Sequence, residues 1–149
     1  MKALIQRVKE ARVEVDGSDI GGIGKGLLIF LGVCKMDSDK EVEYVADKCL
    51  GLRIFEDADG KFNISAADAD AEVLVVPQFT LYGYTGKGRR PSFDKAAPPD
   101  VSRPMYEQFV QHLKNKGVKT ETGEFGADMD VNLVNDGPVT FMVEKESNN

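Results

Sequence analysis

A chain of 149 residues is about one domain's worth and long enough to bury a hydrophobic core of its own. Hydrophobic residues at 42% and charged residues at 30% are ordinary for a soluble globular protein, and the longest apolar run, 27–34, falls well short of a membrane span. The net charge of −6, from 19 basic and 25 acidic residues, argues against a protein that coats nucleic acid through bulk electrostatics, while leaving room for one that holds only a terminus.

Along the chain, Ala3, Ile5 and Val8, then Val13 and Val15, alternate apolar with polar and predict two strands, with Asp16-Gly17-Ser18 as turn chemistry. The glycine-rich stretch 21–26 reads as a turn. Residues 27–33 form a nearly continuous apolar run with β-branched and aromatic members, which predicts a strand buried on both faces. Ser38 reads as a helix N-cap with Glu41 completing a capping box, and Val42, Val45, Ala46, Cys49 and Leu50 follow at helical spacing. The run from Glu56 to Lys61, with Asp59-Gly60 at its centre, is a hairpin signal. Residues 72–76 predict another strand, whose regular pairing should stop at Pro77. A second helix is expected over 102–116, with Met105, Phe109 and Leu113 every four residues and Gly117 as its stop. Strands over 118–122, 131–134 and 140–143 complete the pattern.

No linker, repeat or low-complexity stretch divides the sequence, so 1–149 reads as a single domain with a flexible tail at 144–149. Mixed strands and two helices imply an α+β fold, a sheet backed by helices. Strand-rich ends with few charges point to sheet edges that pair across a homodimer. No secretory segment is expected, because Ala3-Leu4-Ile5 is broken at once by Gln6-Arg7. Cys34 and Cys49 fit neither a disulfide framework nor a metal pattern and read as buried thiols of a cytoplasmic protein.

Several familiar sites fail on inspection. The run 21–26 lacks the Walker spacing, since Asp19 stands where the first glycine belongs and Gly26 replaces the hydroxyl residue. A calcium loop around Asp57 and Asp59 would need ligands where Phe55 and Ala66 stand. His112 is the only histidine and reads as a surface or boundary residue, which disfavours zinc and leaves a Ser-His-Asp triad without a base. No metal or cofactor is expected.

Two stretches remain. Pro77-Gln78-Phe79-Thr80 ends a buried-looking strand, where main-chain N–H groups that lose their ladder partners could face a cleft and stabilise an oxyanion, with the Thr80 hydroxyl positioning water or substrate. The plainer alternative is a strand that runs on to Leu81 and Tyr82. Asn135-Asp136-Gly137-Pro138-Val139-Thr140 sets a Gly-Pro bond between two apolar runs, and by itself it reads equally as a turn joining two strands. The densest basic cluster, Lys87, Arg89 and Arg90, lies on a glycine-rich loop and from charge alone reads as a solvated loop.

Taken together and in this order, the two stretches resemble the signatures of the D-aminoacyl-tRNA deacylase family. The likeness extends through Leu4-Ile5-Gln6-Arg7-Val8, Gly60-Lys61-Phe62-Asn63, Arg90-Pro91-Ser92-Phe93 and the run from Thr122 to Met129, which is nearly the whole length in collinear order. It implies a strongly curved, barrel-like mixed sheet backed by two main helices, with the sheet and the active sites completed across a homodimer. The implied reaction is hydrolysis of the ester between a D-amino acid and the terminal adenosine of tRNA, and also of glycine mischarged on tRNA-Ala. By position, Gln78, Phe79 and Thr80 would form the catalytic strand end and Phe125 and Met129 would embrace the adenine. Gly137-Pro138 would be cis and enter from the partner subunit to reject L side chains, braced by Arg7. The implied partner is the aminoacyl-tRNA 3′ end, without DNA or membrane, and the substrate's own 2′-hydroxyl would assist water.

One departure stands out. The family's motif usually begins with serine, and Pro77 stands there instead, as in a related branch that edits tRNA mischarged with L-alanine. That editor, and a non-enzymatic module that binds tRNA ends, are the competing readings of the same residues.

Overall fold

Apolar residues recur through Ala3, Ile5, Val8, Ala11 and Val13 with no turn residues between them, so the two strands expected at the start are one. The computed structural model, which describes residues 1–147, forms β1 over Lys2–Val15. Asp16 and Gly17 both take positive φ, 50° and 78°, the demand of a two-residue hairpin turn that matches strand twist. The chain returns as β2, Ser18–Ile23, antiparallel to β1. Expecting 21–26 to be a turn is therefore corrected: Gly21 to Ile23 belong to a strand. Glycine is a poor strand former, but at Gly21 a Cβ would lie 2.5 Å from the Thr122 carbonyl oxygen, so close backbone approach selects it.

β3, Gly26–Gly32, pairs with Lys2 to Val8 of β1 and is buried on both faces, as its apolar run requires. Ser38 caps α1, Asp39–Gly51: its hydroxyl accepts from the Lys40 N–H, and Glu41 returns a carboxylate to the Ser38 N–H at 2.7 Å. A hairpin of β4, Arg53–Glu56, and β5, Phe62–Ser65, turns where the Asp59-Gly60 signal lies.

β6, Glu72–Pro77, lies parallel to β3 in the register Leu27↔Val73 to Leu31↔Pro77. α2, Pro99–Asn115, begins three residues earlier than expected because Pro99 suits the first helical position, where its missing N–H has no partner to lose. β7 is shorter than expected, Thr120–Thr122, and pairs with Val73 to Val75 of β6. β8, Asp130–Glu144, is one strand where two were expected, because the unbroken β1 beside it pairs with both halves.

The sheet runs β8-β1-β3-β6-β7, with β2 sharing the β1 edge beyond β3. The close contact between Gly21 of β2 and Thr122 of β7 curls it toward a barrel. Leu28, Leu74 and Val76 meet Val8 and Val13 on one side of this sheet. On the other side Leu27, Ile29, Val73 and Val75 meet Val42, Val45, Phe109 and Leu113 of the two helices. Both cores thus grip β3 and β6, and truncating a residue such as Leu74 to alanine should cost about 2–5 kcal/mol. The fold is the curved, helix-backed α+β sheet that the sequence implied. Pairing continues into the segment expected to fray, since Glu144 ends β8 and the Lys145 N–H donates to the Met1 oxygen at 3.0 Å. Residues 148–149 of that segment lie outside the described residues.

Candidate active site

β6 does not run on to Leu81. The Gln78 N–H still donates to the Leu31 oxygen of β3 at 2.8 Å, after which the chain turns into a 3-10 segment, Phe79–Tyr82. Because N–H groups alternate along a strand, the Pro77 nitrogen faces the opposite flank, where β7 has already ended. Proline sits where no ladder partner is lost. The N–H groups of Phe79 and Thr80 open the 3-10 segment, so neither has an acceptor within it. No main-chain acceptor pairs with them among the described residues. The Gln78 side-chain amide donates to the Thr80 hydroxyl.

This strand end opens on a cleft of about 530 Å³. Pro77, Gln78 and Phe79 form one wall, Ser102 and Tyr106 of α2 another, and Phe125, Gly126 and Met129 a third. Phe125 is presented at the corner of a turn: the Ala127 N–H donates to the Glu124 oxygen at 3.2 Å and Gly126 takes a φ of +82°, the conformation a type II turn needs there. Its ring rests against Tyr106, with centroids 5.9 Å apart. The Tyr106 hydroxyl donates to the Val75 oxygen at 2.7 Å, tying α2 to β6 just before the strand ends. Burial pushes this phenol well above its ordinary pKa, so it remains a hydrogen-bond donor at neutral pH.

Tyr106 is the one titratable side chain in the cleft lining, which is otherwise amide, hydroxyl and apolar. Chemistry at such walls rests on main-chain dipoles and positioned neutral groups. His112 lies elsewhere, its Nε2 2.8 Å from Asp47 Oδ1, joining the two helices.

The second stretch lies in the strand ladder, which corrects its reading as a turn between strands. Gln6 pairs with Thr140 and Val8 with Asn135, so residues 136–139 of β8 answer Arg7 alone on β1. The excess bulges outward. The Gly137-Pro138 bond is cis, the isomer the resemblance implied. Asn135 spans the bulge: its Oδ1 accepts from the Val139 N–H at 2.7 Å and its Nδ2 donates to the Val139 oxygen at 3.2 Å. Gly137 has a φ of +150°, and a Cβ there would meet the Val139 nitrogen at 2.8 Å, so a side chain is excluded. Arg7, only 4% exposed, sends Nε to the Asp136 oxygen and a terminal nitrogen to the Ile54 oxygen, each at 2.9 Å. Its guanidinium also lies 3.7 Å from the carboxylates of Glu56 and Asp136.

Of the expected site residues, Pro77, Gln78, Phe79, Phe125 and Met129 line the cleft together. Thr80 is exposed just beyond it, held by Gln78. Arg7, Gly137 and Pro138 form a separate group outside the lining, with the dipeptide exposed on the protomer surface. Sequence reasoning missed Tyr106, Ser102 and the Asn135 clamp. The apolar spacing of α2 marked its buried face but gave no sign that one end of that face borders a cleft.

Residues 4–144 match the family model described as D-Tyr-tRNA(Tyr) deacylase. A D-aminoacyl-tRNA deacylase of Desulfatibacillum aliphaticivorans is 58% identical over 146 residues, covering 98% of this chain and 100% of its own. One from Thermosipho africanus is 53% identical, covering 98% of each. A solved structure named c-Myc DNA Unwinding Element Binding Protein is 40% identical, with a TM-score of 0.92 over 99% of this chain and 100% of its own. Another, described as a probable eukaryotic D-amino acid tRNA deacylase, shares the fold at 18% identity with a TM-score of 0.85, covering 95% and 97%.

Proposed function

The chain belongs to the D-Tyr-tRNA(Tyr) deacylase family, and from that premise and the cleft geometry we propose how it works. It is a carboxylic ester hydrolase that acts on D-aminoacyl-tRNA and releases free D-amino acid and tRNA. The observation that carries this reading is the end of β6, where Gln78 and Phe79 open onto a cleft walled by Phe125 and Met129.

The terminal adenine enters between Phe125 and Met129, where apolar surface and a polarizable sulfur suit a flat base. The ester carbonyl then lies at the strand end, and the N–H groups of Phe79 and Thr80 receive the oxyanion as water adds. Collapse of that adduct breaks the bond to the ribose oxygen, which takes up the proton that water loses. With no carboxylate or imidazole in the lining, the proton travels by way of water, the Thr80 hydroxyl and the substrate's own 2′-hydroxyl.

Chirality is set by a second copy of the chain. Within one protomer the Gly137-Pro138 unit is exposed outside the lining of its own cleft. It projects from β8, which among the described residues pairs only with β1, beside the exposed apolar residues Val134, Phe141 and Met142. A homodimer through this edge covers that surface and delivers main-chain carbonyls to the neighbour's cleft. A backbone wall rejects an L side chain without reading its identity, so many D residues fit, and so does glycine, including glycine mischarged on tRNA-Ala. The site of action is the cytoplasm, where tRNA is charged.

Incubation with D-Tyr-tRNA and L-Tyr-tRNA tests the reading, with rapid hydrolysis of the D ester alone expected. Equal or absent hydrolysis of the two removes it. Pro77 motivates an L-Ala-tRNA arm in the same assay, and preferential cleavage there would mark an L-alanine editor instead.

A further inference from the structure

The segment between the 3-10 turn and α2 carries a concentration of positive charge that the cleft chemistry leaves unused. Lys87, Arg89 and Arg90 lie within four residues, all exposed, on a protein whose net charge is −6. None of the three is within 4.0 Å of a carboxylate among the described residues. The loop is closed at its base by a pair of main-chain hydrogen bonds, Tyr84 N–H to Ser92 oxygen at 2.7 Å and the return bond at 3.0 Å. Gly88, at a φ of +68°, turns its tip.

Aromatic surface lies beside this charge. Phe93, just past the closing pair, packs edge-on against Phe79 with centroids 5.2 Å apart. Phe79 is itself a wall of the cleft. Phe79, Tyr84 and Phe93 are 59%, 62% and 39% exposed, so their ring faces are open to a ligand. Exposed rings flanking a group of unpaired cations are the makeup of a surface for single-stranded nucleic acid, where bases stack and phosphates are neutralised. A duplex would offer phosphates but no free base faces. The acidic body repels phosphate elsewhere, which directs a polynucleotide to this loop.

We infer that the loop 84–93, with Phe79, is a subsite for the unpaired nucleotides that precede the terminal adenosine. It lies at the lip of the cleft, so a strand whose last base sits between Phe125 and Met129 leaves over Phe79 toward the cations. The inference rests on the deacylase reading of the cleft and adds to it a second contact, one that holds the strand rather than the ester.

The test compares two substrates, D-Tyr-tRNA and D-tyrosyl-adenosine, which carries the same ester without a polynucleotide. A variant with Lys87→Glu, Arg89→Glu and Arg90→Glu should raise KM for D-Tyr-tRNA on the order of tenfold at moderate salt, with kcat nearly unchanged. Single-strand contacts each contribute about 0.7 to the salt slope, so its log–log plot of kcat/KM against salt should flatten by roughly 2. Tyr84→Ala should raise KM for the tRNA ester without altering the slope, as loss of stacking without loss of charge requires. D-Tyrosyl-adenosine should be cleaved by both variants at roughly the wild-type rate. Unchanged KM and slope on tRNA would overturn the inference and return the loop to a protein contact or a solvated tip. An equal loss on both substrates would overturn it by placing the defect in the cleft. If the wild type cleaves neither substrate, the deacylase reading itself falls.

Discussion

Arg7 is the one residue of β1 that faces the four-residue excursion of β8, and its Nε donates to the Asp136 main-chain oxygen at 2.9 Å. The next residue is Gly137. A buried, permanently charged fork thus fixes the peptide immediately before the Gly137-Pro138 unit, and through Ile54 it fixes that unit to the β4 hairpin as well.

Replacing Arg7 should therefore damage selectivity as well as stability. Arg7→Ala leaves the Asp136 and Ile54 oxygens without their charged donor, and removing one partner from such a buried network costs about 3 kcal/mol. Arg7→Lys keeps the charge but cannot reach both oxygens with a planar fork. Its expected phenotype is a folded protein with a lower ratio of D-Tyr-tRNA to L-Tyr-tRNA hydrolysis, read by single-turnover assays on both esters. A lysine variant with the wild-type ratio would show that the guanidinium plays no part in placing the unit.

At Gly137 the argument is steric. A methyl group there would lie 2.8 Å from the Val139 nitrogen and 2.6 Å from Val139 Cγ2, in a backbone conformation that L residues rarely adopt. Gly137→Ala should lose about 1–3 kcal/mol of stability and push the bulge outward. Deacylation of D-Tyr-tRNA should fall at least tenfold. A melting temperature and rate matching wild type would mean that the bulge has slack the geometry does not suggest.

Thr80 offers a cleaner separation of chemistry from folding. It is exposed, and its hydroxyl is engaged by the Gln78 amide. Thr80→Val should leave stability within about 0.5 kcal/mol, as for most surface substitutions. If the hydroxyl positions water, kcat should drop by roughly a hundredfold with little change in KM, on the scale of losing one polar stabiliser of the transition state. Unchanged turnover would leave the chemistry to the main-chain donors alone.

Acid sensitivity follows from the first helix. The Ser38 hydroxyl and N–H hold the Glu41 carboxyl below its ordinary 4.5, and Lys119 does the same for Glu72. Both groups bind fewer protons folded than unfolded, so their contribution is complete above the ordinary value and is lost as pH falls through the depressed one. Urea midpoints measured from about pH 6 down to pH 3 should decline most steeply below the unfolded value, and Glu41→Gln should flatten that decline. Ser38→Ala should cost about 1 kcal/mol at neutral pH. A Glu41→Gln profile parallel to wild type would show that the capping box contributes nothing to acid unfolding.

The apolar pattern carried the fold well wherever burial decides structure. Both faces of 27–33, the capped first helix and the hairpin at Asp59-Gly60 are present as their residues dictate. Local pattern failed where a distant strand decides. Two short apolar runs flanking Gly137-Pro138 look like two strands, but the uninterrupted β1 beside them makes one of both. Gly21 and Gly22 look like a turn, but both lie in a strand, and at Gly21 the approach of Thr122 calls for glycine there. At the site, Pro77 correctly marked where the ladder ends, and the chain then coiled into a 3-10 segment instead of extending. Phe125 and Met129 were marked only by the family likeness, with no apolar periodicity or turn reading of their own. Their place in the cleft depends on a turn at Gly126 and on Tyr106, which is distant in sequence and adjacent in space.

Val73 to Val76 are sealed on both faces of β6, and in the proposed mechanism the reacting ester meets the tip of that strand. Warming should therefore loosen the glycine-rich rim and its hold on the nucleotide chain well before it blurs the anvil on which the bond is cut. Near its upper working temperature the protein should release tRNA more readily while still cutting the esters it holds.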